Sequence, residues 1–459
     1  MTSSRASASH GMHSLVIGYH RPPGIGSGAT GREPSSPNGI LPTLTGLFDQ
    51  GLPGIWVAAA PGPNGCHAAL PEGMPLSLLP LTAAEWSGYF HRACKETLWP
   101  ILMSEPHRLR FDARAWAVYR SVNRRFAAHI SARAAPGATV WLHDYNLWLV
   151  PAALRRLRPD LRSGLFHHTP FPPPEVFAAL PVADEVRCSL AMLNWAGFHT
   201  DAFAGNFRRA LGDRPGPPAV GIHPLGIDRT AVEALARNRA PRTTSTAHRL
   251  VLSVERLDYA KAPVQKVEAI ADLLTRSPEY RGRLTFRLVC PPPEPGITAY
   301  DTTRDQLERR IAELNRVWRT GDWQPIDYIP RNLPFPDVID HYLAADVFWV
   351  TSLQDGMNLT AKEFIAARWA AMMLGGAPAV LVLSRHTGAA TALGDAAVLT
   401  DPHRPGDLAA ALSRALALDP LEQRIRLRHL AMRLGDDRPL DWANRIIDAI
   451  RGRTPVPAG

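Results

Sequence analysis

The sequence predicts an α/β fold of two domains, each a parallel sheet with helices on its faces, set opposite one another across a cleft. Three observations predict it. Short apolar runs alternate with segments of helical periodicity, the pattern of successive βα units in a parallel sheet. This alternation pauses in a polar, turn-prone stretch near 229–248 and then restarts. The chain is 459 residues long, and single cores rarely grow beyond about 250–300 residues.

LVIGY at 15–19 reads as the first strand. It opens into a Gly- and Pro-rich loop over 22–37 that excludes regular structure and is a candidate lid. Ile40, Leu41, Leu44, Leu47 and Phe48 then recur at helical spacing, so strand, glycine-containing loop and helix form a phosphate-handling βα unit. TVWLHD at 139–144 and SGLFHHT at 163–169 are strands, each followed by a helix (LWLVPAALRRLR, PEVFAALP), and AVGIHPLGID at 219–228 supplies another strand. Beyond the pause come the strand RLVLSVE at 249–255, the helix PVQKVEAIADLLTRS and the strand LTFRLVC at 284–290. An amphipathic helix over about 302–319 follows, then the strands IDYIP, VFWVTS and AVLVLS, and AAVLT at 396–400 after a short loop. The expected domains are 1–235 and 246–435, with 436–459 a C-terminal helix able to pack back on the first.

The formal charge is +9 and the pI 9.7, yet no basic run occurs. Lysine stands only at Lys95, Lys261, Lys266 and Lys362, and arginine is scattered elsewhere. That dispersal argues against nucleic acid or a membrane surface as partner, while a positive field helps to collect phosphorylated small molecules. Cys66, Cys94, Cys188 and Cys290 are far apart, without metal-ligand spacing, and read as reduced packing thiols. Neither a secretory leader nor a membrane-length apolar run is visible, so a cytoplasmic location is expected.

Open parallel sheets bind ligands beyond the carboxyl ends of their strands. In SVERLDYAK, Arg256 and Lys261 follow such a strand and can aim a guanidinium and an ammonium at one pyrophosphate; at the surface the same Arg256 can instead pair with Glu255 or Asp258. In DGMNLTAKEF, Gly356 offers backbone amides to phosphate or sugar oxygens, and Asp355 and Glu363 can accept from vicinal hydroxyls. The plainer reading makes Asp355 and Asn358 helix caps and Glu363 a solvated helix residue. His143, Asp144 and Tyr145 follow one strand, and His167 and His168 end the next. One histidine of each group can face the cleft and the other the core. A metal reading is disfavoured, since no second carboxylate or cysteine joins them at ligand spacing.

Together the strings HDYNL at 143–147, HTPFP at 168–172, SVERLDYAK at 253–261 and DGMNLTAKE at 355–363 resemble the trehalose-phosphate synthase family of retaining glycosyltransferases, over residues 15 to 450. The resemblance implies the GT-B architecture of two Rossmann-like domains. SSPNGILPTL at 35–44, KETLWPIL at 95–102, HDYNLWLVP and FHHTPFP are closer to the glucosylglycerol-phosphate synthase branch, which implies ADP-glucose as donor and glycerol 3-phosphate as acceptor. The alternatives are a trehalose-phosphate synthase acting on glucose 6-phosphate, behind it a related enzyme that couples cyclitol units, and, from another class, a catalytically silent sugar-phosphate sensor or regulatory subunit.

By the same resemblance Arg256 and Lys261 bind the donor diphosphate. Asp355 and the Gly356, Met357, Asn358 and Leu359 backbone bind glucose and phosphates, Glu363 binds ribose, and Gly39 approaches the donor phosphates. His168 touches glucose, Asp144 lies where glucose meets the acceptor, and Arg21, Trp99 and Tyr145 serve the acceptor. No metal or cofactor is implied; closure of the domains assembles the site, and a separate phosphatase acts on the product. The oligomeric state is left open. Three positions depart from the trehalose pattern: Glu294 stands for a phosphate-binding arginine, Phe90 for a tyrosine with Tyr89 beside it, and Gln354 for an arginine.

Overall fold

The computed structural model describes residues 11–23, 38–62, 74–213, 216–239, 248–436 and 438–453. The expected lid therefore lies, from residue 24 to 37, outside the described residues. The chain divides into two compact units, one of residues 1–26, 44–223 and 443–459, the other of 27–43 and 224–442.

The first unit holds a parallel sheet of β1 (His13–Gly18), β2 (Ile55–Pro61), β3 (Leu76–Leu81), β4 (Ala134–His143), β5 (Arg162–Phe166), β6 (Trp195–Phe198) and β7 (Ala219–Ile222). Their spatial order is β3-β2-β1-β4-β5-β6-β7. Strands covered on both faces need no polar alternation, and Ile55 to Ala60 are accordingly all buried. Pro80 falls in β3, the edge strand, where a missing N–H costs no ladder bond. β2, β3 and β6 join the strands expected from the sequence.

The second unit holds β8 (Arg249–Val254), β9 (Leu284–Val289), β10 (Ile326–Ile329), β11 (Val347–Val350), β12 (Val380–Ser384) and β13 (Val398–Thr400), all parallel, in the order β10-β9-β8-β11-β12-β13. Residues 224–235, expected in the first domain, lie with this unit. The reason is a helix, Arg229–Arg237, capped by the Asp228 side chain. It buries Val232 and Ala236 among Phe364, Ile365 and their neighbours in the core of this unit.

Residues 443–453 lie with the first unit. There Arg162 Nε donates to the Ile450 carbonyl at 3.0 Å, and Arg451 Nε to Thr139 Oγ1 at 3.2 Å. The seat depends on Gly164 in β5, where an added Cβ would stand 2.4 Å from Ile450 Cγ1.

Both sheets reverse their strand order once, between β1 and β4 and between β8 and β11. Loops leaving those neighbouring strands diverge, and each divergence opens a place for a ligand. Gly164→Val should lower stability by about 1–3 kcal/mol through overpacking against Ile450, read as a lower midpoint in thermal unfolding; an unchanged midpoint would mean that the C-terminal helix does not depend on this seat.

Candidate active site

In the second unit the loops after β8 and β11 are locked together at their backbones. Leu353 N donates to the Ala260 carbonyl at 2.7 Å, and Thr351 Oγ1 to the Lys261 carbonyl at 2.8 Å. Each loop ends on a non-glycine residue in the left-handed region, Ala262 at φ 56° and Asn358 at φ 75°. Such backbone costs about 1–3 kcal/mol and persists only where its surroundings enforce it. Each then starts a helix, Pro263–Arg276 and Leu359–Met373; Pro263 sits where a missing N–H is harmless, and the Asn358 side chain accepts from Ala361 N.

These turns bring Lys261 to Asp355, Nζ to Oδ2 at 2.5 Å. The same oxygen accepts from Ser352 Oγ at 3.2 Å and Asn358 Nδ2 at 3.0 Å. Burial works against the Asp355 charge, but Lys261, Asn358 and Ser352 outweigh it and hold the carboxyl below its ordinary value. A third loop, after β12, buttresses this one. Asp355 N donates to the His386 carbonyl at 3.1 Å, Gly388 N to the Asp355 carbonyl at 3.0 Å, and Ala389 N to the Met357 carbonyl at 2.8 Å. A Cβ on Gly388 would meet the Gly356 carbonyl at 1.9 Å, so only glycine permits this approach.

Arg256 is the exposed member, its side chain 52% accessible and 3.5 Å from Asp258 Oδ2. Asp258 is fully buried and also accepts from Ala260 N and the Tyr300 hydroxyl. Beneath them Lys266, wholly buried, donates to Ser253 Oγ and Glu255. Glu363 is not a solvated helix residue. It is buried, accepting from Asn38 Nδ2 at 2.7 Å and the Tyr342 hydroxyl at 3.0 Å. Asn38 Oδ1 in turn accepts from Asp228 N, and Gly39 follows at φ 112° with its carbonyl accepting from Thr43 N. Gln354 stands half-buried beside Asp355, and nothing in the structure explains its exchange for arginine.

In the first unit the decisive residue is Asp144, which follows β4 at φ 66° and ψ 175°. Its Oδ1 accepts from Thr169 Oγ1 at 2.8 Å and Thr169 N at 3.3 Å, and His167 Nδ1 lies 3.9 Å away. His143 and His168 stack with their rings 5.3 Å apart, joined Nδ1 to Nε2 at 3.0 Å. His167 turns instead among Trp148, Phe171 and Phe198. Burial lowers the His143 pKa to about 3 and drives that of His168 well below its usual value, so both imidazoles are neutral at pH 7. Tyr145 and Trp99 are neighbours, ring centroids 5.9 Å apart, and Arg21 lies over Phe90 at 4.9 Å. Tyr89 does not stand in for the missing tyrosine. It is fully buried, stacks on Tyr119 and donates to the Asn146 carbonyl at 3.0 Å.

The structure thus gathers Lys261, Asp355 and Asn358 in one unit, with Arg256 on the same loop, and Asp144, His168, Tyr145, Trp99 and Arg21 at the strand ends of the other. It adds Ser352, Thr169, Asn38 and the Lys266–Glu255 pair. Lysine scarcity was the available signal for Lys266, and Thr169 and Asn38 lie within HTPFP and SSPNGILPTL, strings already singled out; Ser352 carried none.

The profile of glycosyltransferase family 20 matches residues 54–212 and 218–452. The chain belongs to glycosyltransferase family 20. This family 20 enzyme is 36% identical to a glucosylglycerol-phosphate synthase from Pseudomonas anguilliseptica over 92% of its own length, and spans 63% of that relative. It is 30% identical to a glucosylglycerol-phosphate synthase from Synechocystis sp., covering 96% of this chain and 99% of the relative. Among solved structures, an alpha,alpha-trehalose-phosphate synthase (UDP-forming) from Burkholderia vietnamiensis superposes with a TM-score of 0.82 at 28% identity, covering 95% of this chain and 99% of that one. The architecture is therefore that of a GT-B glycosyltransferase.

The buried imidazoles set an acid limit. The unfolded chain takes up a proton at His143 below its ordinary value of 6.5, whereas the native chain refuses it down to about pH 3. Stability is therefore full above pH 6.5 and falls by up to about 1.4 kcal/mol per pH unit beneath it. Denaturant titrations at pH 7, 6 and 5 should show this slope reduced in His143→Gln, and equal slopes would contradict the assignment.

Proposed function

We propose that this glycosyltransferase moves glucose from ADP-glucose to glycerol 3-phosphate with retention of configuration, making a phosphorylated precursor of a compatible solute. The observation that carries the reading is the Lys261–Asp355–Asn358 cluster at the strand-order reversal of the second sheet, with Arg256 on the same loop. A leaving nucleoside diphosphate needs cations beside it, and Arg256 and Lys261 supply two. The names of the relatives support the branch.

In this mechanism the C1–O bond to the diphosphate breaks as the acceptor hydroxyl forms its C1–O bond on the same face. The acceptor's proton passes to a diphosphate oxygen. Lys261 leaves Asp355 for the diphosphate, which frees Asp355 and the Gly356–Leu359 backbone for the glucose and phosphate oxygens, while Glu363 exchanges Asn38 for ribose hydroxyls. On the first unit neutral His168 can hydrogen-bond a glucose hydroxyl, and Asp144, held by Thr169, orients the acceptor hydroxyl. Because two cations neutralise the leaving group, the reaction should run undiminished in EDTA.

The trehalose-phosphate synthase reading rests on the names of the solved relative and of curated relatives at 33% identity. Against it stands Glu294, since a carboxylate cannot hold a phosphate dianion. Assays pairing ADP-glucose and UDP-glucose with glycerol 3-phosphate and glucose 6-phosphate test the choice. ADP release dependent on glycerol 3-phosphate, with a product of matching mass, is expected. Release dependent only on glucose 6-phosphate would overturn the acceptor, and release with neither would favour the silent sensor. Arg256→Ala should cut turnover about 100-fold, more than it weakens donor binding; a change of a few-fold would contradict its role.

A further inference from the structure

The long helix Ala113–Arg133 buries an apolar stripe that includes Trp116, Val122, Phe126 and Ile130, and within this stripe stands a fully buried amide, Asn123. Such a group is costly unless its polar atoms are answered. Both are. Asn123 Nδ2 donates to the Asn146 carbonyl at 3.2 Å and, one turn back, to the Tyr119 carbonyl at 3.0 Å, and Oδ1 accepts from Leu149 N at 3.1 Å. Tyr119, four residues earlier, lies on the same helix face. Its hydroxyl donates to the Tyr145 carbonyl at 2.6 Å and accepts from Trp148 N at 3.2 Å. Its ring is fixed by stacking on Trp116 and on Tyr89, with centroids 4.6 and 5.7 Å away.

What these two side chains grip is the turn that follows Asp144. Four main-chain groups of that turn, the carbonyls of Tyr145 and Asn146 and the amides of Trp148 and Leu149, are held from one helix face. On the other side of Asp144 the chain is fixed by the sheet, where Asp144 N donates to the Phe166 carbonyl at 2.9 Å. The one residue between a fixed strand end and a fixed turn has to take up the mismatch. Asp144 does so at φ 66° and ψ 175°, a region that essentially only glycine adopts and that persists elsewhere only where the surroundings enforce it.

We propose that Tyr119 and Asn123 are positioning residues: they clamp the 145–149 turn, and the clamp keeps Asp144 in the strained backbone from which its carboxylate orients the acceptor hydroxyl. The inference rests on the reading of Asp144 as an acceptor-side group. A hydroxyl that donates and accepts at once, and an amide that does the same one turn later, fix both the direction and the register of the turn. A carboxylate set by such backbone stands in one place. That matters because a misplacement of about 1 Å from a distant change can cost a reaction about 100-fold.

The test compares Asp144→Gly with Asp144→Ala. Both lose the carboxylate and its bonds to Thr169, but only glycine accepts a positive φ without strain. In the otherwise unchanged chain Asp144→Gly should have an unfolding midpoint about 2–6 °C above that of Asp144→Ala. With Tyr119→Phe added to each, the backbone at 144 can relax, and the gap should shrink to less than half. A gap that is undiminished, or absent from the start, would overturn the proposal. With Asp144 in place, Tyr119→Phe should cut turnover at saturating acceptor about 10- to 100-fold, while ADP and UDP, titrated calorimetrically, bind within twofold of wild type. Turnover within threefold of wild type would overturn the proposal as well. Asn123→Ala, which releases Asn146 and Leu149, repeats both measurements, and circular dichroism confirms the folding of each variant. The stability comparison needs no substrate, so failure of the clamp and failure of the proposed reaction are told apart.

Discussion

An aspartate as enclosed as Asp355 keeps its charge only if something answers it, and Lys261 does so at 2.5 Å. Much of the second unit serves that meeting. β8 and β11 are adjacent because the strand order reverses there, and their loops are bonded backbone to backbone. Two left-handed residues, Ala262 and Asn358, turn each loop into the helix behind it. The pair is a poised arrangement rather than a finished one. A diphosphate can draw the ammonium, a sugar can take the carboxylate, and neither exchange leaves a charge bare.

The first unit uses the same topology with opposite electrostatics. Beyond β4 and β5 the polar groups are neutral imidazoles, a hydroxyl and one carboxylate set by strained backbone. Thr169 holds Asp144 through both its hydroxyl and its amide. Such a surface positions hydroxyls without competing for charge.

Much of this was legible in the sequence for physical reasons. Strands buried on both faces appear as unbroken apolar runs, and polar residues directly after such runs mark the ligand edge; Arg256, Lys261, Asp144, His168 and Asp355 were found that way. The helix starts at Pro263 and Leu359 were legible from Pro263 and the Asn358 cap. What stayed hidden depends on long-range contact. β3 carries a proline that only an edge position excuses, and helix Arg229–Arg237 looks like linker until its partner Leu359–Met373 is in place. Glu363 looks solvated until Asn38 and Tyr342 close on it. The helix Ser87–Leu98 stayed hidden because helical periodicity assumes 3.6 residues per turn, and its bonds run from i to i+5.

The central claim is that Lys261 trades Asp355 for the donor's diphosphate. Calorimetric titration of nucleoside diphosphate against its monophosphate, ADP with AMP and UDP with UMP, into wild type and Lys261→Met tests it most directly. Wild type should prefer the diphosphate by about tenfold or more, and Lys261→Met should lose most of that preference. An undiminished preference in the variant would contradict the account.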